Sequence, residues 1–429
     1  MSEEERTPLL HEDQHNSEEQ PTINEDELYL KVFAKRQRND GLFALIFLAN
    51  LFITLIISIA LISYDPDRYY EAEPTSKILA LTLVPPLASI CFVLIFAIFQ
   101  IYVPNYFISA SYFVSAGLFI ITFVLYMLIF KNFSAIILIP LTAESIALVV
   151  TLRSYKKSSI SLLSSISNIQ TSNPKLLLFT FIMNFISIIP STLYIWVSHR
   201  IQVLEWSKFL HILLALSYFW INSFISHFCI FVSSGFTILN IDFGGTLRMP
   251  RSPILLLVKH AIMSSLGTIA YSAFVSPYLW LARLFPYIKY TKLIEQSEIT
   301  LVYCAAFGID FGAGDMRQQE LERSTKMVSL ADHSQVYSSS LMFSMAIASF
   351  AGIAGYLVSN GFVVDPYALG LIVIFTVFLT FFRCCNFVSL IGGIADTLFV
   401  LTGNAPSKMK KSFPILFSDL SIASNYLGH

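Results

Sequence analysis

Charged residues are scarce in this sequence. Asp, Glu, Lys and Arg make up 13% of its 429 residues, about half of the roughly 25% that is usual in soluble domains. This scarcity excludes a chain that folds mainly in water, because too little of its surface could be hydrated. The formal net charge is only −1, so the sequence also offers no basic surface for nucleic acid.

Cysteine is scarce too, and the common catalytic motifs are missing. The five cysteines all fall within apolar stretches, and none has the CxxC or Cys/His spacing of a metal site. They are Cys91, Cys229, Cys304, Cys384 and Cys385. The sequence has no GxSxG elbow, Walker A motif or HExxH motif. We therefore predict no enzyme activity, no metal site, no cofactor and no disulfide framework.

Long apolar runs dominate what is present. Hydrophobic residues make up 55% of the chain and 38 residues are Phe. A helix needs about 20 apolar residues to cross a bilayer core, and its backbone polar groups must pair internally. Nine runs meet this length: Leu42–Ser63, Ile78–Ile101, Tyr106–Phe130, Ala135–Leu152, Leu176–Val197, Phe209–Gly235, His260–Leu284, Ser338–Val358 and Tyr367–Leu401. The predicted fold class is an all-α polytopic membrane protein, a helical bundle of about 9–10 transmembrane helices.

The distribution of lysine and arginine predicts the topology. Four basic residues precede the first run and favour a cytosolic N-terminus: Lys31, Lys35, Arg36 and Arg38. Nine crossings would place the C-terminal lysines on the opposite side, so a tenth membrane element is expected. Ile299–Ala313 is the best candidate, and its short length and Asp310 leave both a re-entrant helix and a full span open. In the last run, Gly392–Gly393 could break the helix.

The division of the chain follows from these runs. Residues 1–40 are polar and acidic, and we expect a disordered cytosolic tail. Residues 41–403 form the predicted transmembrane bundle, and 404–429 form a cytosolic C-terminal tail. Within the bundle, 153–175 is an amphipathic segment on the cytosolic membrane face, and 314–337 is a solvated connector. Apolar residues recur every third position in the amphipathic segment: Ile160, Leu163, Ile166 and Ile169.

Ionisable residues inside apolar runs are the first candidates for function, because a charge at the bilayer centre costs at least about 2.5–3.5 kcal/mol. Glu144 lies in the middle of IPLTAESIALVV. It either lines a solute or proton path or forms a structural hydrogen bond. His227 is a second candidate, and Asp396 is expected near the cytosolic mouth, where it could cap or gate.

Aromatic and small residues supply the remaining candidates for a solute site. Trp220 and Tyr271 are plausible walls for a cationic solute, since an aromatic ring attracts a quaternary ammonium by about 1–2 kcal/mol per desolvated contact. Both types of residue also fill bundle cores and interfacial belts. Gly267 lies in a strip of small residues that lets helices approach closely.

The N-terminal tail contains a short sorting pattern. Glu5 precedes the pair Leu9 and Leu10 by four residues, as in acidic dileucine signals that adaptors read in extended cytosolic tails. The pattern predicts a sorting adaptor as partner. It favours an endosomal, vacuolar or lysosome-like membrane or the Golgi, with the plasma membrane as the alternative.

Several segments together resemble the choline transporter-like family, most closely its compact fungal members. The most specific pair is Pro250-Arg251-Ser252-Pro253 followed by Ser265-Leu266-Gly267-Thr268-Ile269. The other matching segments are Asn39-Asp40-Gly41 through Leu48, Pro104-Asn105-Tyr106-Phe107-Ile108, Trp220 with Gly235, and Asp396-Thr397-Leu398-Phe399. The resemblance implies about ten spans, cytosolic termini, and transport of choline or a similar organic cation.

Some polar positions of that family differ in this chain. The Asn and His of the family's Trp span align with His227 and Ile230, and an acidic position near the C-terminus aligns with Ala405.

The sequence therefore leaves two functional hypotheses. The first is a transporter of choline or a related cation by alternating access. The alternative is a non-transporting protein of the same fold that serves as a partner-binding scaffold in endosomal or vacuolar traffic.

Overall fold

The computed structural model describes residues 39–63, 75–130, 138–203, 208–243, 249–283, 297–325, 327, 335–361, 363 and 366–426. The sorting pattern at Glu5, Leu9 and Leu10, and nearly all of the predicted N-terminal tail, lie outside these residues.

The described residues form fifteen helices and no strand. The first eight are α1 (Gly41–Ser63), α2 (Thr75–Tyr102), α3 (Pro104–Phe130), α4 (Leu138–Ser172), α5 (Pro174–Ile186), α6 (Ile188–Val203), α7 (Lys208–Phe243) and α8 (Pro253–Met263). The remaining seven are α9 (Leu266–Arg283), α10 (Ser297–Phe307), α11 (Phe311–Ser324), α12 (Gln335–Ser359), α13 (Pro366–Asn404), α14 (Pro406–Ser412) and α15 (Pro414–Tyr426).

The predicted fold class is confirmed. Among the described residues, seven helical segments are long and apolar enough to cross a membrane, and nine if each of two bent helix pairs counts as one span. The chain is thus an all-α polytopic membrane protein. The span predicted at Ala135–Leu152 corresponds to the first half of α4, where most side chains lie outside the described set.

The longest helix, α13, occupies the centre of the bundle. It packs against α12, α7 and α2. The predicted break at Gly392–Gly393 is wrong, because α13 is continuous from Pro366 to Asn404. Gly393 instead allows close helix packing, since an added Cβ would overlap the Ser233 hydroxyl and lie 2.8 Å from the Ile230 carbonyl oxygen of α7.

The predicted amphipathic helix is present as the second half of α4. Its apolar residues Leu163, Ile166 and Ile169 are buried in the protein core, so this stripe packs against protein rather than lipid. Residues of α15 belong to the same core, which includes Leu416 and Leu420.

The C-terminal residues 404–429, predicted to be a tail, contain two helices that pack on the bundle. Lys408 of α14 forms an ion pair of 3.0 Å with Asp242 at the end of α7. Asp419 of α15 pairs with Lys157 of α4 at 2.9 Å. The helices are therefore attached to the bundle at two places.

Candidate functional site

Two helix pairs in the bundle are sharply bent, and the first is α8–α9, which turns by 76°. The sequence predicted a span over His260–Leu284, and the structure breaks the helix within this run, between Met263 and Leu266. The backbone amides of Ser264 and Ser265 both donate to the His260 carbonyl, at 3.0 and 3.1 Å. The Ser264 hydroxyl donates to the same oxygen at 2.6 Å. Serine side chains compete in this way with helical hydrogen bonds, and here α8 ends.

The second bent pair is α10–α11, which turns by 115°. It contains Ile299–Ala313, for which the sequence left a re-entrant helix and a full span open, and the helix is broken within this segment. Gly308 ends α10 with a φ of 64°, a left-handed conformation that favours glycine. Asp310 then caps α11, because its carboxylate accepts a hydrogen bond from the Ala313 amide at 2.8 Å. Since α11 continues to Ser324, the predicted connector 314–337 begins as helix.

The start of α1 is bonded to both breaks. The Asn39 amide donates to the Ser264 carbonyl at 3.0 Å, and its side-chain Nδ2 donates to the Gly308 carbonyl at 2.8 Å. Helical geometry leaves carbonyls at the C-terminal ends of α8 and α10 without partners. At both ends Asn39 donates the missing hydrogen bond. A movement of α1 relative to either break would disrupt these hydrogen bonds.

Asp40, the next residue, connects the two helices that follow the breaks. Its Oδ2 accepts hydrogen bonds from the Thr268 hydroxyl at 2.6 Å and from the Phe311 amide at 3.2 Å. Thr268 lies in the first turn of α9, Phe311 begins α11, and α1 begins immediately after Asp40. Three helix N-termini therefore converge on one carboxylate. Each favours negative charge by about 0.3–1 kcal/mol at an exposed surface and more in partly buried geometries.

Gly267 makes this arrangement possible. A Cβ at this position would overlap the Asp40 carbonyl oxygen and would lie 2.8 Å from the Asn39 carbonyl oxygen. Only glycine lets the first turn of α9 touch the backbone at the start of α1. The sequence predicted close packing at Gly267, and the structure identifies α1 as the neighbour.

Tyr271, a predicted aromatic wall, lies one turn after Gly267. Its ring contacts Phe43 of α1 at a centroid distance of 4.5 Å and Phe311 of α11 at 4.9 Å. The three rings therefore join α1, α9 and α11 next to the Asp40 carboxylate.

Trp220, the other predicted wall, lies on α7 and contacts two of these helices, α1 and α9. Its indole Nε1 donates to the Ala270 carbonyl at 3.1 Å. Its ring is 5.3 Å from Phe47 of α1 and 5.1 Å from Phe274 of α9. Trp220, Tyr271 and Gly267 consequently line one seam between α1, α7 and α9.

The other candidates lie apart from this seam or outside the described side chains. His227 is buried on α7 about 10 Å along the helix from Trp220, and its Nδ1 lies 2.8 Å from the Ser223 carbonyl. Asp396 lies one turn after Gly393 on α13. Gly393 packs against Ile230 of α7, and Ile230 is about 15 Å along α7 from Trp220. Glu144 is in α4, and its side chain lies outside the described set.

Sequence reasoning did not assign a role to Asn39 or Asp40. Both residues stand at the boundary between the polar tail and the first apolar run, where polar residues are expected in any membrane protein. Their partners are 225 or more positions away in the chain, and a single sequence does not reveal such pairing. The available signal was the Asp-led start of α1 together with the Ser-x-Gly-Thr segment of α9.

These features define a multi-pass helical membrane protein with two broken helices joined at the start of its first span. No family model matches the chain, and no curated protein matches it. The resemblance to the choline transporter-like family therefore stays a prediction from the sequence.

Proposed function

We propose that this protein transports choline or a related organic cation by alternating access, and that the α8–α9 and α10–α11 pairs move about Asp40. The observation that carries the proposal is the convergence of both helix breaks on Asn39 and Asp40. Discontinuous helices are a recurring feature of secondary transporters.

The surroundings of α8 support movement of this helix. One side of α8 borders a groove of about 690 Å³ between α5, α7 and α8. Apart from Lys175 and Ser252, the groove is lined by apolar residues. A shift of α8 into this groove would therefore break few polar contacts.

The seam beside Asp40 supports a cationic substrate. A quaternary ammonium has no N–H to donate and is bound through aromatic faces and negative charge. Tyr271 supplies a ring next to the Asp40 carboxylate, Trp220 supplies a second ring about 10 Å farther along the seam, and Glu144 is a second candidate for counter-charge. In the observed conformation Tyr271 packs on Phe43 and Phe311, so the proposed cation binds when α9 and α11 separate from α1.

Flux of radiolabelled choline into proteoliposomes tests this proposal. Wild-type protein should give saturable uptake, and Glu144→Gln and Asp40→Asn should each reduce the rate at least tenfold. Glu322→Gln, which removes an exposed carboxylate near the end of α11, is the matched control and should leave the rate unchanged. Absence of saturable flux in the wild type would rule out choline as the substrate.

We also propose that the N-terminal tail directs the protein to an endosomal or vacuolar membrane through a sorting adaptor. The support is the spacing of Glu5, Leu9 and Leu10. Leu9→Ala with Leu10→Ala should move a fluorescently tagged protein to another membrane without changing its flux in proteoliposomes. If the protein moves no cation while this change relocates it and produces a phenotype, the scaffold function is correct instead.

A further inference from the structure

Arg383 is a buried cation in the middle of α13. Its side chain is 1% exposed, although arginine is strongly disfavoured in the membrane interior. Guanidinium Nη1 donates to the Pro86 carbonyl at 3.1 Å and to the Ser89 hydroxyl, both on α2. One nitrogen of the guanidinium is therefore held by neutral acceptors.

The other two nitrogens of Arg383 point to a ligand. Nε and Nη2 have no hydrogen-bond partner in the part of the chain that the structure describes. These two nitrogens form the side of the guanidinium that presents two parallel N–H groups, the geometry that matches the two oxygens of a carboxylate. The two ion pairs recorded among the described side chains, Lys157–Asp419 and Lys408–Asp242, do not involve it. A buried guanidinium without an anion is costly, so an anion bound to these two nitrogens would stabilise the buried charge.

A small cavity adjoins Arg383. It measures about 80 Å³ and is lined by two polar residues, Arg383 and Asn184, and six apolar ones: Ile90, Val93, Leu94, Phe181, Phe185 and Ile188. Asn184 is fixed, because its Nδ2 donates to the Thr180 carbonyl at 3.0 Å and its Oδ1 accepts from Asn386 at 3.2 Å. The volume suits a carboxylate group and is far below the roughly 300–1,000 Å³ of sites for drug-sized ligands.

The rim of the cavity indicates how a larger molecule would extend. Leu94 of α2 and Phe185 of α5 are 40% and 58% exposed, so they face out of the bundle. A hydrocarbon tail attached to the bound carboxylate would pass between α2 and α5 toward the lipid. The apolar lining suits such a tail and offers little to a phosphate headgroup, whose additional oxygens would find few donors.

We propose that Arg383 and the adjoining cavity bind a carboxylate, whose two oxygens accept hydrogen bonds from Nε and Nη2. The carboxylate can come from a small acid in water or from a fatty acid in the membrane. This inference goes beyond cation transport and does not depend on it.

Equilibrium binding to the purified full-length protein in detergent tests the site. Radiolabelled hexanoate and palmitate are the probes, and hexanol and hexadecanol are competitors that lack the charge. We expect saturable binding of at least one acid and no competition by the alcohols. Equal binding of both acids indicates a water-soluble ligand. Binding of palmitate alone indicates a membrane fatty acid. Either result supports the site.

Two variants locate the binding. Arg383→Lys keeps the charge but removes the two parallel donors, and it should weaken binding at least tenfold. Leu94→Trp fills the cavity while leaving Arg383 in place, so it should have the same effect if Arg383→Lys fails to fold. Leu87→Trp, at an exposed position of α2 outside the cavity, is the control and should bind like the wild type.

Three results would overturn the proposal. The first is no saturable binding of either acid. The second is binding that neither Arg383→Lys nor Leu94→Trp weakens. The third is binding that appears only in Glu144→Gln, because this would show that the chain itself supplies the carboxylate to Arg383.

Discussion

At the scale of single residues, Gly267 carries the tightest constraint in the candidate site. A methyl group there would overlap the backbone of Asp40, and neither the backbone of α1 nor that of α9 can rotate away as a side chain could. We therefore expect the overlap in Gly267→Ala to cost about 1–3 kcal/mol or more of the free energy of unfolding. The better helix propensity of alanine returns only about 1 kcal/mol, so the variant should be less stable than the wild type.

Thermal unfolding in detergent, followed by tryptophan fluorescence, measures this effect. The control is Gly117→Ala in α3, where an added Cβ meets nothing within 4 Å, and it should leave the midpoint unchanged or raise it slightly. Equal midpoints for Gly267→Ala and Gly117→Ala would show that α1 and α9 do not approach as closely as described.

Asp40 is the second residue whose chemistry can be tested alone. Asp40→Asn keeps an acceptor for Thr268 and Phe311 but removes the charge that the three helix N-termini favour. We expect a loss of about 1–2 kcal/mol in the free energy of unfolding, and this loss should be smaller than that of Asp40→Ala. A midpoint identical to the wild type in both variants would contradict the electrostatic role of this carboxylate.

At the scale of helices, the two breaks have different local causes. The α10–α11 break contains a glycine with positive φ and an aspartate cap. The α8–α9 break depends on serine hydrogen bonds to His260 and on Asn39 from a distant part of the chain. The sequence left a re-entrant helix open at the first break, because the apolar run there is short and contains Asp310. The second was missed because an apolar periodicity continues through Ser264 and Ser265.

The two N-caps of these helix pairs give a matched test. Asp310 accepts a hydrogen bond from the Ala313 amide, whereas Ser252, the N-cap of α8, forms no side-chain cap hydrogen bond. Asp310→Ala should therefore cost about 0.5–2 kcal/mol, and Ser252→Ala should cost close to nothing. Both values can be read from the unfolding midpoints, and a larger loss for Ser252→Ala would refute this assignment of the caps.

At the scale of the whole molecule, the C-terminal helices are part of the bundle. Both lysines pair with buried carboxylates, but Lys408 is 19% exposed and Lys157 is 84% exposed. Water screens the charge of an exposed lysine, so its ion pair contributes little, whereas breaking a pair that is largely shielded from water is costly. We expect Lys408→Ala to lower the free energy of unfolding by about 2–3 kcal/mol and Lys157→Ala by less than about 1 kcal/mol. Equal losses would show that the two attachments are equivalent.

The general architecture could be predicted from the sequence. Bilayer thickness sets the length of an apolar helix that spans it, and charged residues are too scarce for a fold whose surface faces mainly water. The finer arrangement did not follow. The amphipathic stripe of α4 was expected on the membrane face, yet it is covered by α15, a segment that was predicted to be part of a cytosolic C-terminal tail. For the candidate site, the sequence identified Gly267, Trp220 and Tyr271. It did not identify the contact of Asp40 with Thr268, which lies 228 positions away in the chain.

The most direct test of the proposed mechanism is a reversible cross-link between α1 and the α8–α9 break. In a cysteine-free background, Asn39→Cys and Ser264→Cys place two thiols at positions whose backbones are joined by a hydrogen bond of 3.0 Å, close enough for a disulfide. If the breaks move during transport, oxidation should stop choline flux in proteoliposomes and a reductant should restore it to the rate before oxidation, while the flux of either single variant should not respond to the oxidant. Flux that continues at the same rate after complete cross-linking would contradict movement about Asp40.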